Sequence, residues 1–482
     1  MIRALGSRRA VVIALAVGTA AVALTTVVVQ QRIRGTSRSA TEPSGVSPPG
    51  LSLPIASNSS PPTTAAPIAR FTGASSVASF GADGRGHSDD TAAFRAAMTA
   101  ALATPFRYMK GPSGRPQAVV WVPRGTYRIF QLPFLSNIRM EVDAGAVLEQ
   151  AGNKALGPSQ ESGGPSLVLW DGGPVRPLTN VSMVGVGSAP SVLKRLAAPV
   201  EPGWNIDRSF TFDLDTTRTG GDNYESAIQL ANVDGFLIDD VYSIENGART
   251  DPTDPVTKKI GLYPRPTSSR AVFVLLPWNS SRIGGPYYDP HNGAIRHHYN
   301  IGGPFGYGAN QVTSGHNLTF SSIFSRGGIA LRLETDATLH KSWGGELRGV
   351  VADGIVGVDC ARAVSIEPHA QRNSDVHVSR VTARDCYQGV LESLDESLGS
   401  SERGAFTSST LSDVQVIGGP GAQVPVSGHP GAWTVGPSLQ AYARDPGAGW
   451  SVRVARMTCR GKFAAAPSPF DAGGVFRRPV CT

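Results

Sequence analysis

Nowhere in its 482 residues does the chain place two cysteines in a Cys-x-x-Cys spacing, and it has only four cysteines, Cys360, Cys386, Cys459 and Cys481. That excludes the usual zinc and thioredoxin-like frameworks and leaves no metal site to name from sulfur ligands. Also missing is any Lys/Arg-rich run interleaved with aromatics, so nucleic acid is not an expected partner. Charge is sparse, at 17% of residues, yet 40% are hydrophobic, which is ordinary for a globular chain and excludes disorder over its whole length. The balance of 44 Lys and Arg against 37 Asp and Glu leaves +7, a mild preference for an anionic partner such as an acidic polysaccharide or anionic lipid. Part of that surplus, Arg3, Arg8, Arg9, Arg32 and Arg34, sits at the N-terminus.

Charge is wholly absent from Ala10 to Val29, which follow Arg8-Arg9. A basic flank and an apolar run read as an export signal. The same length of apolar and small residues also spans a bilayer. No clean small-x-small cleavage site precedes Gln30-Gln31, so residues 1–35 are either a signal peptide or a membrane anchor. Either way the protein is expected to be secreted or held at the cell surface, meeting the membrane only through that anchor. Residues 36–69 are dominated by Ser, Pro, Thr and Ala, a composition that buries no core, and read as a disordered linker. The folded unit is expected over 70–482, as a monomer. In an exported chain the four cysteines are free to form disulfides, with three pairings open. Cys360 and Cys386 stand one expected coil apart, and Cys459 and Cys481 could pin the C-terminus.

The folded part also lacks a series of amphipathic helices. After SFGADGRGHSDD comes one short helix pattern, with Asp89 or Asp90 to cap it and Phe94, Ala97 and Met98 on an apolar stripe. AVVWVPRGTYRI (118–129) and NIRMEVDAGAVLEQ (137–150) then read as strands bounded by Pro and Gly. This opening resembles the N-terminal capping region of the pectin-lyase-like β-helix superfamily, in which a helix plugs the end of the coil. Beyond it short strand patterns recur, and four align on Leu318, Val350, Val378 and Leu411, spaced 32, 28 and 33 residues apart. Recurrence on that scale without intervening helices predicts an all-β fold, a right-handed parallel β-helix with an N-terminal capping helix, over a β-sandwich. The stretch 248–306, rich in Pro, Gly and aromatics, breaks the rhythm and is expected to form long loop insertions.

The segment GGIALRLETD, Gly327 to Asp336, carries the chemistry. On a strand its side chains alternate, so Leu331, Leu333 and Thr335 face the core while Arg332, Glu334 and Asp336 share the outer face. Residues two apart on a strand are separated by roughly 6.5–7 Å. Two carboxyls about 6.5–9.5 Å apart leave room for a water opposite the leaving group, as in an inverting glycosidase, whereas a retaining pair stands at about 5–5.5 Å. One carboxyl must then be protonated and the other ionised. Spacing alone does not say which, and an outer Arg-x-Glu-x-Asp row is also what a solvated strand face looks like.

GGIALRLETD resembles the active-site strand of the iota-carrageenases, whose pattern is close to GGxxLRLET. GYGANQVTSGHNLTF (306–320) and EPHAQRNSDVHVSRVTARDC (367–386) resemble that family's flanking coils in the same order and spacing. The resemblance implies an endo-acting inverting glycoside hydrolase cleaving β-1,4 bonds in a sulfated or otherwise anionic galactan. It places the general acid on Glu334, the base on Asp336, and a supporting glutamine and histidine on Gln311 and His369. Arg332, Arg362 and Arg380, with Arg296 and Lys341 nearby, would hold the substrate's anionic groups, because guanidinium forks match sulfate oxygens. The family's Asn-Gly-Asp reads Asn373-Ser374-Asp375 here.

Three other readings stay open. A polygalacturonase-like hydrolase shares the fold, but its paired-Asp, Gly-His-Gly and Arg-x-Lys series is absent in order, Asp239-Asp240 having no Gly-His-Gly after it. A calcium-dependent lyase lacks its Asp-rich cluster. A non-catalytic glycan-binding β-helix would lose nothing on changing Glu334. Catalysis of this kind requires no cofactor. A structural calcium finds its only candidate ligands in His297-His298 and the acidic run 213–222, both of which read better as solvated loops.

Overall fold

The computed structural model describes residues 67–104, 108–150, 166–171, 176–189, 206–214, 226–244, 270–274, 289–301, 308–335, 345–358, 360, 362–368, 371–386, 388–392, 404–418, 439–441 and 452–461. The expected signal or anchor and nearly all of the linker lie outside them.

Short strands with alternating apolar residues have one face to bury, and stacking successive turns of chain buries it without helices. Among the described residues the strands form one sheet of 17 and one of nine. The pairings are parallel except where Tyr108–Lys110 meets Pro116–Val122. Neighbours in a sheet are alternate strands in the chain: Gly308–Val312 pairs with Ile329–Glu334 on the smaller sheet, while Gly315–Arg326 pairs with Leu347–Val358 on the larger. This alternation is a parallel β-helix, and it excludes the antiparallel sandwich.

Four successive long strands of the larger sheet, His291–Ile301, Gly315–Arg326, Leu347–Val358 and Arg372–Arg384, each bend at two single residues in the left-handed region. Asn292, Asn317, Gly349 and Asp375 make the first corner, at φ 53°, 53°, 65° and 58°. His297, Ser322, Gly354 and Arg380 make the second, five positions later, at φ 46°, 54°, 74° and 50°. Asn and Asp tolerate that region because their short polar side chains bond locally. Here they bond along the stack: Asn317 Nδ2 donates to Asn292 Oδ1 at 3.2 Å and Asn292 Nδ2 to Asp234 Oδ1 at 2.7 Å.

Inside the coil, like residues stack in register. Leu318 pairs with Val350 and Val350 with Val376, while Phe320, Ala352, Val378 and Leu411 make the adjacent row. The repeat read from sequence therefore slips by two residues between Val350 and Val378. A slip of two returns every side chain to the same face, so apolar patterning could not detect it. Burying each large side chain in such a row contributes roughly 1.5–3 kcal/mol.

At the N-terminal end the helix Thr91–Ala103 lays Ala93, Phe94, Ala97, Met98 and Ala101 on the open coil, with Phe94 edge-on to Tyr127 at 5.6 Å. Asp89 caps it, Oδ1 accepting from Thr91 N at 2.9 Å. Asp90 instead accepts from the backbone of Asp83 and Arg128, tying the helix start to the first coil. Just ahead, Arg70 lies over the Trp121 ring at 4.1 Å, and Phe71 N donates to Glu141.

Two expectations are corrected here. The stretch 248–306 is not all loop, since it contains the strands Arg270–Val274 and His291–Ile301. The apolar run Ala271–Val274 and the apolar positions Ile295 and Tyr299 supply the needed strand character. For the same reason His297-His298 is strand, with His298 fully buried inside the coil. Cys360 bonds to Cys386, Cα atoms 4.4 Å apart, bracing consecutive coils. Cys481 lies outside the described residues. Among those residues no helix is long and apolar enough to cross a membrane.

Candidate active site

The strand Ile329–Glu334 lies in the smaller sheet between Gly308–Val312 and Arg362–Glu367. Its alternation is as expected, with Leu331 and Leu333 inside and Arg332 and Glu334 on the outer row. The outer row is not solvated, however, because Glu334 is only 5% exposed. Register puts Gln311, Arg332 and Ser365 side by side, and Glu334 beside Glu367.

These residues make one hydrogen-bonded cluster. Gln311 Nε2 stands 2.6 Å from Glu334 Oε2, and an Arg332 guanidinium nitrogen stands 2.5 Å from Glu334 Oε1. The same nitrogen lies 3.6 Å from Glu367 Oε2. Arg362 approaches Glu367 Oε1 at 3.5 Å, and Ser365 Oγ donates to that oxygen. Gln311 Oε1 is buried and meets no hydrogen-bond donor among the described residues. Of the residues named from sequence, Gln311, Arg332, Glu334 and Arg362 are thus brought together. Asp336, His369 and Lys341 lie outside the described residues.

Arg380 is not in this cluster. It occupies the second corner of the larger sheet, where its guanidinium grips the Asp353 carboxylate through two nitrogens, Nε at 2.6 Å from Oδ1. Period-two alternation shows that a residue faces outward but not from which sheet, and that is why the sequence could not separate Arg380 from Arg332. Arg296 is likewise engaged, 2.5 Å from Asp239.

Below the cluster runs a buried polar chain. His298 places Nε2 at 2.9 Å from Ser243 Oγ and Nδ1 at 3.1 Å from Asn310 Oδ1, while Asn310 Nδ2 donates to Ala330 O. Complete burial pulls this imidazole down to about 4, so it is neutral at ordinary pH. Asn310 and Ala330 sit on the two strands that carry Gln311 and Glu334, and the chain fixes their spacing. Asn373 does similar work beyond Glu334: it donates to Thr335 Oγ1 at 3.0 Å and accepts from Leu347 N, and Thr335 Oγ1 donates to Pro368 O.

Among the described residues one group of side chains has the reach for a cation, Asp239, Asp240 and His297 on the larger sheet. Its carboxylates are already engaged by cations, Asp239 by Arg296 and Asp240 by Arg208 at 3.0 Å. Burial works to raise Asp239, but the His297 hydrogen bond and the Arg296 charge outweigh it and hold the group low. Burial and the Asp239 charge push Asp240 up to about 6. This is an ion-paired corner, with no second feature pointing to a metal.

Glu367, Ser365 and the knot at Asn373 carry weight that the sequence reading did not give them. The signal for Glu367 was present: RAVSIE repeats, one coil later, the outward carboxylate of ALRLE, with Ser365 in the place of Arg332.

Comparison with known proteins agrees with the fold. A family model for rhamnogalacturonase A/epimerase, pectate lyase-like, matches residues 74–132, the capped first coils. A solved iota-carrageenase complexed to iota-carrageenan fragments superposes with a TM-score of 0.58 at 18% identity, covering 82% of this chain and 90% of that one. Cap, coils and match define a parallel β-helix protein. Within that class its curated relatives are iota-carrageenases. The Alteromonas macleodii enzyme is 25% identical over 317 residues, 65% of this chain and 51% of that one. The Zobellia galactanivorans enzyme is 22% identical over 274 residues, 56% of this chain and 45% of that one. The chain thus spans about half the length of the curated relatives it matches.

Proposed function

We propose that this protein is an exported glycoside hydrolase, iota-carrageenase-like, making inverting endo-cuts at β-1,4 bonds of a sulfated or otherwise anionic galactan. The observation that carries this reading is the buried Gln311–Glu334–Arg332 cluster on the outer face of a strand whose sequence resembles the iota-carrageenase active site. Charge buried on an outer face costs stability, and such sites are where function concentrates.

In this reading Glu334 is the general acid. Gln311 Nε2 stands 2.6 Å from Glu334 Oε2. Exchanging the two ends of the Gln311 amide lets a protonated Glu334 Oε2 donate to Gln311 Oε1, and the amide ends are interchangeable by a half-turn. The proton then sits on the oxygen turned toward Gln311 until the leaving-group oxygen takes it. Asp336, two residues on, is the base that activates water, with His369 supporting it. Arg332 and Arg362 attract the polyanion.

Release of reducing ends is expected from iota-carrageenan or a related anionic galactan, and loss of that release in Glu334→Gln and Asp336→Asn. An α-anomer as first product of a β-bond supports inversion, and a β-anomer refutes it. A folded protein inert on a broad panel of galactans and uronans would sink the proposal.

A further inference from the structure

We infer that Glu367 is a positioning residue for Glu334: by sharing Arg332 and adding a like charge one strand away, it opposes ionisation of Glu334 and keeps the acid loaded with its proton. The inference deepens the proposed function and rests on Glu334 being the acid.

The difficulty it resolves is electrostatic. A guanidinium 2.5 Å from a carboxylate favours the ionised form, which is useless to a general acid. Among the described residues the charged groups beside Glu334 are Arg332 on its own strand and its register partner Glu367 on the next, itself paired with Arg362, while the preceding strand offers the neutral amide of Gln311. Asp336 and His369 follow in the chain. Arg332 is not devoted to Glu334, since the same nitrogen reaches Glu367 at 3.6 Å. Glu367 is also oriented independently, by Ser365 and Arg362, so it stays in place whatever the protonation of Glu334. In-register residues on paired strands have backbones about 4.8 Å apart, and Glu334 and Glu367 are such a pair. Like charges that close raise the proton affinity of one member, and with Gln311 able to accept its proton, Glu334 is the member that takes it.

The test is the pH profile of kcat. Glu367→Gln removes the like charge and should move the alkaline limb to lower pH by on the order of one unit, with KM within about two-fold. Arg362→Gln takes from Glu367 one of its two cations, leaving Arg332 alone, and should move the limb the opposite way. A limb that stays at the wild-type position in either variant, with activity scaled equally at every pH, overturns the inference. Should Glu367→Gln not melt cooperatively, the upward displacement in Arg362→Gln decides the matter alone. Glu334→Gln separates the two levels: an active Glu334→Gln defeats the reading of Glu334 as the acid, whereas an inactive one beside an unmoved limb in Glu367→Gln defeats only the role of Glu367.

Discussion

Two sets of arginine–carboxylate pairs on this coil are built differently. Along the second corner of the larger sheet the pairs made by Arg380 and Arg456 are one to one and wet: Arg380 with Asp353 at 49% and 28% side-chain exposure, Arg456 with Asp413 at 70% and 39%. On the smaller sheet Arg332 is shared by Glu334 and Glu367, at 14%, 6% and 13%. A wet pair on a left-handed corner keeps the charge of a tight bend solvated and contributes little. A buried, shared arginine must be balanced by every neighbour, because losing one leaves an uncompensated charge. The same residue types thus serve a scaffold in one place and, in our reading, chemistry in the other.

The contrast breaks most plainly on substitution of its arginines. Arg332→Ala should lower kcat/KM by about 10²- to 10³-fold, measured on iota-carrageenan, since it removes the balance of two buried carboxylates and, under the proposed function, a substrate cation. Equal loss in Arg380→Ala would erase the distinction. The brace next to the smaller sheet comes second in size. Replacing Cys360 and Cys386 with serine should cost about 3 kcal/mol in denaturant unfolding for a loop of 26 residues, an effect of chain entropy rather than of the site.

Stability against pH probes the buried chain behind the cluster. His298 is depressed to about 4 in the fold from 6.5, so the unfolded chain binds its proton first. Its contribution is therefore complete above about 6.5 and is lost as pH falls toward 4, on the order of 3 kcal/mol across that window. Asp240 and Asp289, both raised to about 6, act oppositely, with stability present below about 4 and lost as pH rises through 6. Comparing the slope of Tm with pH in wild type and His298→Gln isolates the histidine, and the variant should be the flatter. Smallest of all, Arg380→Ala should change stability by about 0–1 kcal/mol, less at high salt.

Much of this architecture was legible in the residues. The Phe94–Ala97–Met98 stripe gave the cap, and the alternation of ALRLE gave the inner and outer rows of its strand. What was hidden depended on register. A two-residue slip at Val378 leaves the apolar pattern unchanged, and only the coil's stacking shows that Glu334 faces Glu367 and that Arg380 sits on another sheet. The corners explain the strand at His297-His298 in the same way: one left-handed residue bends a strand without ending it, and polar residues there look like loop. Gln311 is marked by resemblance to a family pattern, and its contact with Glu334 supplies the physical reason, whereas nothing in the sequence marks the bond from Asn373 to Thr335.

The most direct test is reducing-end release from iota-carrageenan by wild type, Glu334→Gln and Arg380→Ala measured side by side, each verified to melt cooperatively. Wild type and Arg380→Ala should release ends at rates within about two-fold of each other while Glu334→Gln falls to background. A folded Glu334→Gln that keeps the wild-type rate would contradict the account.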